Sequence, residues 1–293
     1  MMRARKISRD QLKTIGGEEW VDQSRSPFVN GDECWVPVRE GMPCDCEIDR
    51  QPRYAGRGFY MIGDVAVIHG ARPAPEQVDE IIRFRTPRGV LWIESLKEVT
   101  RTPRAEILFG TAGEVHHRES GYTFVLDPGK VMFSQGNRTE KMRIAGLIRA
   151  GPGNERVADM FAGIGYFSIP AAGAGARVHA MEINPVAFTY LERNIRENHF
   201  SGLIEATPGD CRDLLTGKYD RILMGHFDAI TMFPYALQHA KTKSIIHLHS
   251  IGPVEDQIRA ALESAGFSAT IQVHKVKKYR PHAWHVVQDV SIL

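Results

Sequence analysis

Two glycines, Gly163 and Gly165, sit in VADMFAGIGYFSIPAA, where a β-branched apolar start runs into a small-residue helix. A turn of this kind cradles a nucleotide-like ligand. A dinucleotide fingerprint would put a third glycine at position 168, but Ser168 stands there and no Walker lysine follows. The next apolar run ends in Glu182, 17 residues after Gly165. A carboxylate there can accept both hydroxyls of an adenosine ribose and repels a 2′-phosphate. Asp210, with Cys211 beside it, closes the third run, where a carboxylate suits the donating exocyclic amine of adenine. Asp159, at the end of the first run, can orient the loop or meet an ammonium group. Acids at three successive strand ends around two glycines fit S-adenosylmethionine better than NAD, because its sulfonium and ammonium are cationic and it has no pyrophosphate. The plainer alternative is glycines for a tight turn and acids as helix caps.

These residues need a frame, and from Glu155 the chain supplies strict β/α alternation. RVADMF, RVHAMEI, GLIEATPGD, YDRILMG and SIIHLHS read as strands, with helices between them. Asn184 followed by Pro185 is a helix start. ATIQVHKVKKY and AWHVVQDVSIL, joined through Arg280-Pro281-His282, read as a closing hairpin. Alternating units require a parallel sheet with helices on both faces, and ligands bind beyond the carboxyl ends of its strands. Before it, residues 57–150 read as a small β-rich domain with a linking helix, NRTEKMRIAGLI. Asn137 should cap that helix, with Glu140 completing a capping-box variant. Residues 1–56 read as irregular, with short strand candidates such as Cys34–Val38, and residues 151–293 form the ligand-binding domain.

Hydrophobic residues at 43% and charged residues at 25% are those of an ordinary globular protein, and no apolar run is long enough to span a membrane. The basic N-terminus lacks the apolar segment of a secretory signal, and four cysteines argue against a disulfide scaffold, so the cytoplasm is the expected compartment. A net charge of +2 does not by itself announce nucleic acid. Local basic clusters, among them Arg101 with Arg104 and Lys275 to Arg280, raise RNA as a partner; no membrane or obligate protein partner is expected. Cys34, Cys44 and Cys46 have the wrong spacing for tetrahedral zinc, so no metal is expected. Of Phe59, Tyr60, Phe133 and Tyr166, the last is the pick to stack a flipped base.

DPGKVMFSQGNRTEKMRIAGLI, DMFAGIGYFSIP, MEINPVAFTYLERNIRENH and GDCRD are similar to the tRNA guanine-37 N1-methyltransferases and their relatives in wybutosine synthesis. The resemblance runs from about Gly58 to the C-terminus and implies a class I methyltransferase-like (Rossmann-like) seven-stranded sheet behind a smaller N-terminal α+β domain. It implies S-adenosylmethionine as co-substrate, with Ser134 and Lys141 lining its pocket and Gly163, Gly165, Glu182, Asp210 and Cys211 around the adenosine. Many relatives carry arginine where Lys141 stands. The methyltransferases end the fourth strand in an Asn-Leu-Pro-type motif; here it ends Met224-Gly225-His226-Phe227. That ending resembles the aminocarboxypropyltransferases, which implies transfer of the 3-amino-3-carboxypropyl group to C7 of 4-demethylwyosine at position 37 of tRNA-Phe. His226 and His249 are the candidates to line the acceptor pocket or relieve the C7 proton. The alternatives are a guanine-37 N1-methyltransferase, an RNA-binding protein without catalysis and, behind these, a small-molecule methyltransferase.

Overall fold

A computed structural model describes residues 2–30, 32–48, 54, 56, 58–97, 100–280 and 282–293. By internal contacts the chain divides into two units, Met1–Ala55 and Gly56–Leu293. The first holds a small antiparallel sheet of β1 (Met2–Ser8), β2 (Phe28–Asn30), β3 (Glu33–Pro37) and β4 (Cys46–Ile48), in the order β2-β3-β1-β4. This region reads as irregular because its strands are short and pair over long separations, with Ala4 opposite both Pro37 and Cys46. Ala4, Cys34 and Val36 are fully buried and give the sheet its core.

The second unit opens with β5 (Tyr60–Ile62), β6 (Val65–His69), helix α1 (Pro75–Arg85), β7 (Gly89–Lys97) and β8 (Thr102–Gly110). These strands make a four-stranded sheet in chain order, with β6 and β7 parallel across α1. A hairpin follows, β9 (Val115–Glu119) and β10 (Tyr122–Leu126), and then α2 (Arg138–Ala150). Asn137 stands at the start of α2, but its side chain caps nothing. Glu140 turns instead to Arg143, at 2.7 and 2.8 Å, so the expected capping box does not form.

From Arg156 the alternation is realised as β11 (Arg156–Asp159), α3 (Ser168–Gly173), β12 (Arg177–Glu182), α4 (Pro185–Glu197), β13 (Ile204–Pro208), α5 (Cys211–Leu214), β14 (Tyr219–Met224), α6 (Phe233–His239), β15 (Ala240–Ile251) and α7 (Glu255–Ser264). The antiparallel pair β16 (Ala269–Arg280) and β17 (Ala283–Ile292) closes it; Pro281, read as part of the turn, lies outside the described residues. The strand order β13-β12-β11-β14-β15-β17-β16 is a seven-stranded sheet in which β17 pairs antiparallel with both β15 and β16. Successive side chains of a strand point to opposite faces. Val157, Val178, Ala180 and Leu223 therefore join one core with Phe124, Leu126 and Ile144 of the preceding elements, while Ala158, Met181, Ile222 and Leu248 join the other. No helix among the described residues is long and apolar enough to cross a membrane.

Two asparagines one turn apart, Asn194 on α4 and Asn198 just past its end, dock the β9–β10 hairpin. Buried Asn194 accepts from Val125 N–H at 2.7 Å and donates to the carbonyls of Val125 and Ile164 at 3.2 and 3.0 Å. Asn198 repeats the pattern on Thr123, accepting at 3.0 Å and donating at 2.7 Å. The side-chain amides thus serve as a strand edge for β10. Asn194→Leu keeps the volume and strands three buried backbone groups, so denaturant unfolding should show a loss of about 3 kcal/mol.

Candidate active site

The turn after β11 is built on two left-handed glycines. Gly163 has φ +58°, and a Cβ there would stand 2.5 Å from the Tyr166 ring. Gly165 has φ +100°, and a Cβ there would meet Ile169 at 2.8 Å and Leu191 at 3.3 Å. Both positions therefore exclude side chains, and the backbone N–H of Gly163 is left pointing at Glu182 Oε2, 2.7 Å away. The other Glu182 oxygen accepts from Asn184 N–H at 2.7 Å. Burial raises the Glu182 pKa, with these N–H groups opposing it. A carboxylate offers about four acceptor positions, so Glu182, which lines the cavity, keeps acceptor capacity beyond these two bonds.

Asp159 does not reach that cavity. It is fully buried, accepts from Ser168 Oγ at 2.7 Å and from Phe161 N–H at 3.4 Å, and fixes both ends of the turn. Burial pushes its pKa up to about 6. Gly165 likewise sits behind the wall, where its role is close packing. Ser134, Lys141, Gly163, Glu182, Asp210, Cys211 and His226 are brought together around one cavity of about 470 Å³ beyond the carboxyl ends of β11 to β14. That volume suits a nucleoside-sized ligand. Apolar Phe161, Ile183 and Met232 complete the wall, and Ile183 is 46% exposed on it.

Residues 115–277 match the TRM5/TYW2 methyltransferase domain. A Methanocaldococcus jannaschii protein named tRNA(Phe) (4-demethylwyosine(37)-C(7)) aminocarboxypropyltransferase is 34% identical over 80% of this chain and 98% of its own length. The chain belongs to the TRM5/TYW2 family. Among solved structures, Pyrococcus horikoshii TYW2 in complex with MeSAdo is 30% identical with a TM-score of 0.68, covering 81% of this chain and 91% of that one. Wild-type Trm5b from Pyrococcus abyssi is 25% identical with a TM-score of 0.76, covering 100% and 99%.

In this TRM5/TYW2 chain the acid that follows β13, Asp210, is partly neutralised. Asp210 caps α5 through Arg212 N–H at 2.9 Å, and the Arg212 guanidinium forks onto both its oxygens at 2.9 and 2.5 Å. That fork holds the Asp210 carboxyl below its usual range. Oδ1 thus accepts twice and Oδ2 once, which leaves one acceptor position, on Oδ2. Cys211 is a packing residue: burial first, then the Asp210 charge, pushes its thiol up to about 12. Lys141 lies under three rings, Phe124, Phe133 and Tyr166, with its ammonium 5.0 to 5.9 Å from their centroids and paired with Glu119 at 2.5 Å. Ser134 accepts from the Lys277 ammonium at 3.1 Å.

The two histidines read as catalytic part company. His226 lines the cavity, stacks on Phe161 at 5.5 Å and accepts the Asp228 N–H on Nδ1 at 3.2 Å. Burial and then Arg101 lower its pKa, so the ring is neutral with its proton on Nε2, a donor rather than a base. His249 is fully enclosed, pairs with His285 at 2.9 Å and is absent from the cavity wall. It meets Phe167 of the cavity wall edge-on at 5.3 Å. The residues missed from sequence are Arg101, read only as part of a basic cluster, and Asn137, read as a cap; both line the cavity. Nothing local marks either one, since only the tertiary fold brings them to the glycine turn.

Proposed function

We propose that this chain transfers the 3-amino-3-carboxypropyl group of S-adenosylmethionine to C7 of 4-demethylwyosine at position 37 of tRNA-Phe. The observation that carries this reading is the end of β14, Met224-Gly225-His226, where Gly225 and His226 line the cavity and the strand end offers no side-chain amide and no proline. The resemblance implies that the guanine-37 N1-methyltransferases hold their acceptor nitrogen with such a group. The named relative in Methanocaldococcus jannaschii, matched over 98% of its length, supports the same reaction.

A sulfonium supplies electrophilic carbons on all three of its bonds, and the one in line with the nucleophile is transferred. C7 forms a bond to the arm's Cγ while the Cγ–S bond breaks and its electron pair stays on sulfur, giving methylthioadenosine. The C7 proton then leaves to water. A thioether needs no protonation to depart, so the protein's work is alignment. In this reading Glu182 holds the ribose, Asp210 and Cys211 border the adenine, Gly163 and Asp159 shape the turn, and Ser134 with Lys141 closes the wall below α2. His226 directs its Nε2–H at the acceptor side.

Incubation with tRNA bearing 4-demethylwyosine and S-adenosylmethionine labelled in either the methyl or the carboxyl group tests this directly. Carboxyl label should enter RNA and methyl label should remain in the nucleoside product. Methyl label in RNA would make the chain a methyltransferase. Binding of tRNA with no binding of S-adenosylmethionine would make it a non-catalytic RNA-binding protein.

A further inference from the structure

The mouth of the cavity beside β14 carries a step of aromatic rings. Phe227 follows Gly225 and His226 of the wall and is held by three neighbours. The rings of Tyr279 and His285 meet it nearly perpendicular at 5.3 and 5.0 Å, and the Arg101 guanidinium rests 5.2 Å from its centre. Tyr279, near the end of β16, is nevertheless 50% exposed. Two residues before it, Lys277 donates to Ser134 of the wall, so this face of β16 looks toward the cavity. Trp284, opposite Lys278 in the hairpin, is 40% exposed as well. It precedes His285 in the strand, however, and therefore points to the other face.

Charge around this step is unbalanced. Lys141 is neutralised by Glu119 and Arg212 by Asp210, both at 2.5 Å. No carboxylate among the described residues pairs with Arg101 or Lys277. Burial, then Lys141 and Arg101, lower the Lys277 pKa, as an uncompensated cluster of cations requires. An exposed ring beside free cations is the combination that binds single-stranded RNA, the ring taking a base and the cations the phosphates. A base on which chemistry is done leaves its stack, and the bases on either side lose a partner. We propose that Tyr279 stacks on the nucleotide next to the one modified, in the place the target base vacates when it enters the cavity. Tyr279 is a positioning residue: backed by the fixed Phe227 ring, it holds the RNA strand at the mouth and takes no part in bond making. This rests on the tRNA reading above and assigns a residue that orients the acceptor.

Binding of tRNA bearing 4-demethylwyosine to the full chain tests this in Tyr279→Ala, Tyr279→Phe and Trp284→Ala. Tyr279→Ala should weaken tRNA about 5- to 100-fold, the range for one base–aromatic stack. Tyr279→Phe keeps the ring and should stay within about twofold, as should Trp284→Ala on the opposite face. Calorimetric affinity for S-adenosylmethionine should be unchanged in all three, which also reports that each is folded. A tRNA with an abasic nucleotide on one side of position 37, then on the other, identifies the base. At one of the two, wild type and Tyr279→Ala should bind alike, because the stack is already missing. Independent losses at both positions, a Tyr279→Ala effect below about twofold, or a loss in Tyr279→Phe or Trp284→Ala as large as that in Tyr279→Ala would overturn the platform while leaving the reaction standing. A wild type that bound no tRNA would overturn the tRNA reading itself, and the platform with it.

Discussion

Glu182→Gln is expected to weaken S-adenosylmethionine by more than about 100-fold, with little change in stability. Both carboxylate oxygens take a short N–H bond, from Gly163 and from Asn184, each at 2.7 Å. An amide has one acceptor oxygen, so one of these N–H groups would face an NH₂ across the same gap. The glycine turn and the start of α4 are held by those two bonds, and the ribose would lose its charged acceptor as well. Loss of one charged and one neutral hydrogen bond at a buried position comes to about 3 to 4 kcal/mol. Folding responds differently. Burial raises the Glu182 pKa above its ordinary value, so holding it ionised at neutral pH opposes folding, and stability from this group increases as pH falls through the folded pKa. Removing the charge therefore relieves part of the cost of the lost bonds. Calorimetric titration together with thermal unfolding separates the two quantities. A variant whose affinity and stability fell in step would show that Glu182 only caps the turn.

The parts of this site legible in sequence are those set by neighbours along the chain. Gly163, Gly165 and Glu182 belong to one βαβ unit, whose spacing fixes where the glycines and the acid meet. Asn184 and Pro185 announce α4 for the same local reason, and Asn184 does accept from Val186 and Ala187 N–H. What could not be read is set across the fold. Asp159 looks from its position like a ligand group, but its carboxylate is taken by Ser168, nine residues on. Asp210 meets its partner two residues away, a pairing that spacing allows but does not require. Arg101 reaches the wall from a turn between two strands of another sheet, and its unpaired guanidinium is visible only once the partners of Lys141 and Arg212 are known. The first unit illustrates the other limit: strands of three to seven residues carry too little periodicity to announce themselves.

The same long-range logic governs the buried ion network that ties α2 to the sheet. Glu155 pairs with Arg221 at 2.8 Å, Arg221 donates to His247 Nε2 at 2.6 Å, and His247 Nδ1 donates to Asp289 at 2.6 Å. Asp289 then pairs with Arg143 at 2.7 Å, and Arg143 with Glu140 at 2.7 Å. His274 stands 3.2 Å from the same Asp289 carboxylate. Arg143→Met removes the one cation between two buried carboxylates. Breaking a buried pair in this way costs about 3 to 5 kcal/mol, because the remaining charges stay out of water unpaired. Lys141, two residues earlier on α2, would lose its fixed support, so weaker ligand binding should accompany the drop in stability. Acid acts on this region by a different route. Burial keeps His247, His249 and His285 below their ordinary pKa, with Asp289 partly opposing this at His247; His285 is pushed down to about 4. Between that value and the unfolded value of about 6.5 the unfolded chain binds more protons, so stability falls as pH drops. The His285 contribution alone approaches 3 kcal/mol by about pH 4. Asp289 adds nothing in that window. Burial alone would raise its pKa, but bonds from His247 and Arg143 hold it well below the carboxylate range, so its contribution is present above the unfolded value of about 4 and is lost as pH falls from there toward the folded value. Thermal unfolding from pH 7 to 5 should therefore show a falling Tm in the wild type. His285→Gln should flatten that slope, and Arg143→Met should lower Tm at every pH; an unchanged slope in the former would mean that the histidine pair is already protonated in the native state.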